Sequence, residues 1–272
     1  MTMSGRRFWK MSGSGNDFIF FDATVQPADA LASPEMIGRL CERRTGVGAD
    51  GVVLLEPHPD RAFFMRYFNR DGSLAEMCGN AALCSTRLAR ELGIVGEGDF
   101  VFETVSGPVT GRFVDGGPEI DMVPVTELTD AYPTTLESGE TRIGFARVGV
   151  PHLVLLVADV AKIDVMRRGR ALRRLATLRD GANVNFVAPD VGGGWTIRTY
   201  ERGVEEETLA CGTGAVATGA LLSAWGMADQ LVSLRTRSGR SLAVKTPGAE
   251  SNAAPVLRGE GRIVFHGTLG EL

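Results

Sequence analysis

Lysine is almost absent from this chain. Lys10, Lys162 and Lys245 are the only three among 29 basic residues, the rest being arginine. A pyridoxal-phosphate enzyme needs a lysine for its Schiff base, and none of these lies near the motifs described below. Histidine is as sparse: His58, His152 and His266 stand singly. No C-x-x-C pair accompanies them, so zinc-ligand spacing is missing. No run approaches the ~18 apolar residues of a membrane span. The segment Met1–Asp22 carries Arg6, Arg7 and Lys10 but no following apolar stretch, so no signal peptide is expected. A basic surplus is missing too. The formal net charge of −4 leaves no broad basic face for nucleic acid. These absences lead to the expectation of a cytoplasmic protein with no nucleic-acid or membrane partner, no metal and no cofactor.

What is present is ordinary globular material with one excess. The chain has 272 residues, 44% hydrophobic and 23% charged, enough for a sizeable core and for two domains of about 130 residues each. Glycine is in excess, at 35 residues against a usual ~7%. Four cysteines, Cys41, Cys78, Cys84 and Cys211, should be reduced in the cytoplasm. Each is then a small core residue or a reactive group.

Local patterns predict strands over Phe18–Asp22, Val52–Glu56 and Phe63–Phe68, bounded by Gly, Asp or Pro. Ser33 and Pro34 open a helix through about Arg43. A second helix starts at Gly79 and closes at Gly93. Val101–Thr104 and Gly107–Val114 read as a hairpin. The cluster Asp115-Gly116-Gly117-Pro118 is the expected domain boundary. Beyond it, strands are expected over Gly144–Val150, Leu153–Val157, Asn183–Val187 and Trp195–Thr199. A helix over Val165–Leu178 should turn its arginines to solvent.

One internal similarity sets the architecture. Arg66-Tyr67-Phe68-Asn69, an acidic turn, and Met77-Cys78-Gly79-Asn80-Ala81-Ala82 are followed later by a matching series. That series is Arg198-Thr199-Tyr200-Glu201, an acidic turn, and Ala210-Cys211-Gly212-Thr213-Gly214-Ala215. Two copies imply two pseudo-symmetric α/β halves with equivalent elements on opposite sides of one cleft.

The duplicated Cys-Gly pair carries chemistry. At a helix N-terminus the dipole and unpaired backbone N–H groups stabilise a thiolate. A following glycine lets the backbone approach a carboxylate closely. Two such sites on one substrate could remove a proton from one face of an α-carbon and return one to the other. Oriented N–H groups would hold the enolate-like charge. Cys41 and Cys84, which lack this context, read as core.

At these residues the chain resembles the diaminopimelate epimerase family. The resemblance covers nearly the whole sequence. It runs through Gly13-Ser14-Gly15-Asn16-Asp17-Phe18, Arg44-Thr45-Gly46-Val47-Gly48-Ala49-Asp50 and Asn69-Arg70-Asp71-Gly72-Ser73. It continues through Met77-Cys78-Gly79-Asn80, Pro151-His152, Asn183-Val184-Asn185-Phe186, Glu201-Arg202-Gly203 and Glu207-Thr208-Leu209-Ala210-Cys211-Gly212-Thr213-Gly214. The resemblance implies cofactor-independent, two-base epimerisation of LL- to meso-diaminopimelate by Cys78 and Cys211. It makes Gly79-Asn80 and Gly212-Thr213 the donors to the reacting carboxylate. Asn16, Asn69, Asn183, Glu201 and Arg202 would hold the rest of the substrate, with Arg202 suited to a carboxylate and Glu201 to an ammonium. His152 and Glu201 match positions proposed to assist the thiols. A histidine beside proline is otherwise commonly structural. The implied fold is α/β (α+β), each half a curved mixed sheet around a central helix. The halves are expected at 1–115 with 261–272, through a returning strand near Arg262–Gly267, and at 116–260. The resemblance also implies a homodimer.

The chain departs from the family's usual pattern at Ala81-Ala82-Leu83, at Val150 in place of a common Asn, and at Gly51 in place of a frequent Gln. The second acidic turn is also one residue longer. A racemase for another amino acid, such as histidine or proline, on the same fold therefore stays open. Gly212-Thr213-Gly214-Ala215-Val216-Ala217 also fits G-x-G-x-x-A, which would suit an NAD-dependent oxidoreductase if a strand led into it. A non-catalytic amino-acid binder is the third alternative, and it would have no need of two thiols.

Overall fold

Runs of apolar residues buried on both faces form the central strands, as in Phe18–Phe21 and Val52–Leu55. The computed structural model describes residues 5–75, 77–247 and 253–271. Its elements begin with β1 (Arg7–Gly13), β2 (Asn16–Asp22), α1 (Pro34–Cys41), β3 (Gly51–Glu56), β4 (Phe64–Asn69) and α2 (Gly79–Glu91). Next come β5 (Phe100–Thr104), β6 (Gly107–Val114), β7 (Gly117–Asp121), β8 (Val125–Thr129), β9 (Glu140–Val148) and β10 (Val150–Val157). Then follow α3 (Val165–Arg173), β11 (Asn183–Pro189), β12 (Trp195–Glu201), β13 (Glu206–Thr208) and α4 (Gly212–Ala224). The last are β14 (Leu231–Arg235), β15 (Ser241–Lys245), β16 (Val256–Arg258) and β17 (Arg262–Thr268).

Two compact units result, Met1–Ile120 with Gly259–Leu272, and Asp121–Arg258. In the first, β17 and β1 pair antiparallel, as do β1 and β2. The pairings β2–β3 and β4–β5 are parallel, and β3–β4, β5–β6 and β6–β7 are antiparallel. The second unit repeats that series of directions. Its pairings are β8–β9 and β9–β10 antiparallel, β10–β11 parallel, β11–β12 antiparallel, β12–β14 parallel, then β14–β15 and β15–β16 antiparallel. Strand β13 is an addition at the acidic turn, paired antiparallel with β12. The C-terminal strand does return to the first unit, through β1.

In each unit the strands pack against helices on two faces. In the first unit one face meets α1 through Phe8, Ile19, Phe21, Val52, Leu54, Ile37 and Leu40. In the second, Leu153, Leu155, Val184, Phe186 and Tyr200 meet Val165 and Leu172 of α3. The other central helices, α2 and α4, are buried along most of their length, which suits the nearly all-apolar surface of α4. Ser33 caps α1, its Oγ accepting the Met36 N–H at 3.2 Å, and Asp164 caps α3 by accepting from Arg167 at 3.0 Å.

Three local expectations change. The Asp115–Pro118 cluster turns the β6–β7 hairpin, with Asp115 and Gly116 at φ 52° and 76°. Helix α3 stops at Arg173 rather than Leu178, because successive tight turns follow (Leu175 N–H to Leu172 O, Leu178 N–H to Leu175 O). Such turns mimic helical spacing. Nor do all its arginines face solvent. Arg168 is buried, forking Glu140 at 2.7 Å through Nε and again through Nη2, which also donates to Thr135 O at 2.8 Å. No helix among the described residues is long and apolar enough to cross a membrane.

Candidate active site

Cys78 and Cys211 are the residues immediately before α2 and α4, two helices of 13 residues each. Their backbones match closely: φ −137°, ψ 118° at Cys78 and φ −134°, ψ 115° at Cys211. Both are half-buried, and Cys41 and Cys84 are fully in the core. Burial pushes the Cys41 thiol up to about 11 and raises Cys84 well above the usual thiol range. The latter two are therefore poor nucleophiles and poor bases. Cys211 Sγ accepts the Gly214 N–H at 3.4 Å and lies 3.5 Å from Thr213 Oγ1. Contacts of this kind favour a thiolate at a helix start.

In the first unit, Asn16 opens β2 and Asn80 is the second residue of α2. Asn80 Nδ2 donates to Asn16 Oδ1 at 2.7 Å, joining positions 64 apart in sequence. Asn80 is 2% exposed, and its own Oδ1 has no hydrogen-bond partner among the described residues. Gly13 is needed here, because a Cβ would lie 2.8 Å from Asn80 O and 3.1 Å from Cys84 Sγ. Asn16 Nδ2 donates in turn to Asp50 Oδ2 at 3.2 Å. Behind it Asp17 receives Lys10 at 2.6 Å and both arms of Arg43 at 2.9 and 2.8 Å. Burial works to raise the Asp17 carboxyl, but these bonds outweigh it and hold it at about 2. Asn69 ends β4, where the turn to Ser73 closes through Asn69 N–H to Ser73 O at 2.9 Å and Asn69 Nδ2 to Ser73 Oγ at 3.0 Å. Gly51 pairs with Asn69 across β3–β4. A side chain at position 51 would meet Phe68 O at 2.4 Å and the Tyr67 ring at 2.5 Å, so Tyr67 fills the space a glutamine would take.

In the second unit, parallel pairing of β10 and β11 sets His152 beside Asn183. Asn183 Oδ1 accepts the Arg202 N–H at 2.7 Å, and Arg202 Nη1 donates to Asp180 O at 3.0 Å. Burial raises the Glu201 carboxyl, so this group can hold a proton more readily than an exposed one. The glutamates of the longer turn have other tasks. Glu205, at φ 61°, takes the Gly203 N–H, Arg173 and the Tyr200 hydroxyl, and Glu207 takes both arms of Arg198. His152 is fully buried. Burial, then the charge of Arg202, lower it from 6.5 to about 3, so its ring is neutral at ordinary pH. The sequence reading missed Asn185 as a site residue. It lies two positions beyond Asn183, on the same face of β11, and that spacing was the available signal.

Each cysteine thus stands at a helix start with a glycine beside it and buried amides behind it. Gly79-Asn80 and Gly212-Thr213 form the first turns whose N–H groups are unused within the helix. The glycine pattern from Gly212 is not a dinucleotide fingerprint. The strand before it, β13, is a three-residue antiparallel strand, not the parallel strand that leads a phosphate-binding turn.

A family model described as diaminopimelate epimerase matches residues 8–127 and again residues 144–263. Diaminopimelate epimerase from Gemmatimonas aurantiaca is 46% identical, the match covering 97% of this chain and 99% of that protein. The Aquifex aeolicus protein of the same name is 38% identical, covering 97% and 98%. Among solved structures, a phenazine biosynthesis protein of the PhzF family from Bacillus anthracis superposes with a TM-score of 0.74 at 14% identity, covering 98% of this chain and 99% of that one. A probable proline racemase from Agrobacterium radiobacter K84, with bound carbonate, gives 0.66 at 21%, covering 98% and 93%. These two likenesses show the fold. By the match over both halves and the identity over nearly its full length, the chain belongs to the diaminopimelate epimerase family of isomerases.

Proposed function

We propose that this protein interconverts LL- and meso-2,6-diaminopimelate by proton transfer at the α-carbon, with Cys78 and Cys211 as the base and acid. The carrying observation is the duplicated helix start, with two thiols at N-caps of nearly identical backbone conformation. One thiolate takes the α-proton while the other thiol delivers its proton to the opposite face. The two sulfurs therefore begin in opposite protonation states and exchange them in each turnover. The carbanion's charge spreads onto the reacting carboxylate, where the N–H groups of Gly79-Asn80 and Gly212-Thr213 stabilise it. Asn16, Asn69, Asn183, Glu201 and Arg202 bind the rest of the substrate. His152 and Glu201 support proton transfer as neighbouring polar groups, not as the reacting base.

No pyridoxal phosphate enters this scheme. The lysine positions support that: Lys10 Nζ is buried on Asp17 and Gly48 O, while Lys162 and Lys245 are exposed. The protein is further proposed to be a cytoplasmic homodimer. A second reading, a racemase for a different amino acid, is favoured by Val150 at the first position of β10, a place that offers no polar side chain. Deuterium incorporation from heavy water, read over a panel of amino acids, separates the two. Exchange into diaminopimelate isomers is expected. Exchange confined to histidine or proline would replace the proposed substrate, and exchange into none would overturn the epimerase reading.

A further inference from the structure

The two units share their pairing directions, so positions can be matched residue by residue. In the first, Phe18 pairs with Gly51, and Val53 pairs with Tyr67. In the second, His152 pairs with Asn183, and Asn185 pairs with Thr199. The places filled by Phe18, Val53 and Tyr67 in one half are therefore filled by His152, Asn185 and Thr199 in the other. All six are at most 8% exposed. The fold accepts apolar and aromatic side chains at these positions. Three buried polar groups in the second half cost desolvation that the architecture does not require. Three residues after each cysteine, Ala81 in the first unit corresponds to Gly214 in the second. A Cβ on Gly214 would lie 2.4 Å from Asn185 Oδ1 and 3.3 Å from Cys211 Sγ. The glycine admits the Asn185 amide.

Asn185 uses its hydrogen-bonding capacity in a way that leaves one arrangement. Leu153 O, 3.1 Å from one end of the amide, can only accept, so that end is the NH2 group. Its second hydrogen points to His152 Nδ1 at 3.3 Å. At the other end, Oδ1 accepts from Thr199 Oγ1 at 2.9 Å. A ring nitrogen that receives a hydrogen bond carries no proton, so the neutral imidazole is protonated at Nε2. That N–H is buried and has no hydrogen-bond partner among the described residues.

We infer that Asn185 is a positioning residue: it holds His152 as a neutral ring with its proton on Nε2, and packs on the Gly214 turn that donates to Cys211 Sγ. The charged group felt by the ring is Arg202, which opposes a second proton, as burial does. The kinetic part of this inference rests on the epimerase reading; the assignment of the proton does not.

The test is a long-range nitrogen–proton NMR spectrum of the whole protein labelled with 15N-histidine, the His152 signals being assigned by their loss in His152→Gln. The expected result is a neutral ring, bare at Nδ1 and protonated at Nε2, unchanged from about pH 5 to pH 9. A proton on Nδ1, or titration with an ordinary histidine midpoint, would overturn the inference without touching the epimerase reading. Asn185→Asp replaces the donor with an acceptor, so the ring should move its proton to Nδ1. Turnover of whichever amino acid exchanges in heavy water should fall at least about tenfold, as when a wrong tautomer is held beside a reacting group, with KM within about twofold. Asn185→Val copies the residue that the first unit carries, which separates loss of folding from loss of positioning. It should keep the circular dichroism of the parent and lose turnover by a similar factor. Full turnover in a folded Asn185→Val would also overturn the inference.

Discussion

A thiol's behaviour follows from its surroundings, and the four cysteines here fall into two pairs. Cys41 and Cys84 are buried, and burial raises their proton affinity, at Cys41 against the opposing charges of Lys10 and Arg70. Cys78 and Cys211 stand at helix starts, half-exposed, where backbone N–H groups and the dipole favour the anion. Brief treatment with iodoacetamide near neutral pH should therefore label Cys78 and Cys211 and spare Cys41 and Cys84, as read by peptide mass mapping. Cys78→Ala or Cys211→Ala should lower epimerisation on the order of 10²–10⁴-fold, the usual loss when an acid–base group is removed. The far-ultraviolet circular dichroism should be unchanged. Near-parental turnover in either variant would count against a two-base mechanism. The proposed site residues were named from motifs, because each is assigned a particular chemical group: thiol, amide, guanidinium or bare backbone. Asn185 was not named, although its spacing from Asn183 sets it on the same face of β11, because its contacts with His152 and the Gly214 turn exist only in the fold.

At the level of elements, the first unit concentrates charge where β1, β2, β3 and the loop after α1 meet. Lys10, Asp17, Arg43 and Asp50 form one linked group there. Asp17 is ordinarily half-protonated at 3.8 and is held at about 2 in the folded protein. A carboxylate depressed on folding stabilises the native state above its unfolded value and loses that contribution as pH falls through its folded one. Stability from this group should be fully present above about pH 4 and fade towards pH 2. Urea unfolding at a series of pH values should show a difference between the parent and Asp17→Asn that is constant above pH 4 and shrinks below it. A difference that grows on acidification would contradict the assignment. Element types were legible in advance for the long periodic or strongly apolar runs, as at α2, β3 and β11. The end of α3 was not, because tight three-residue turns continue its spacing beyond Arg173. Short strands such as β8, β13 and β16 were also missed, since three to five residues carry no period of their own and are held by their partners.

For the whole molecule, the same series of strand pairings twice over explains how one chain comes to carry two matched helix starts. It also explains why a single family model fits residues 8–127 and 144–263. A ligand that binds only the folded protein stabilises it by about 2.7 kcal/mol at a hundredfold excess over Kd. Saturating meso-diaminopimelate should therefore raise the thermal midpoint of the intact protein, and NAD should not. No shift with diaminopimelate, together with a shift on another amino acid, would favour the alternative substrate.

The duplicated Cys-Gly pair and the motifs that resemble the diaminopimelate epimerase family were by themselves enough to place the chain among these isomerases and to single out Cys78 and Cys211 as the proposed reacting pair. Those features depend on local chemistry, which a linear sequence carries directly. Tertiary structure decided the rest. Asn16 meets Asn80 across 64 positions, Tyr67 closes the space beside Gly51, and Arg168 is buried on Glu140. Only strand register shows that His152, Asn185 and Thr199 occupy places that the other half fills with Phe18, Val53 and Tyr67. Contacts of this kind depend on which strands pair and in what phase, and long-range pairing is set by the whole chain's packing, not by any one segment.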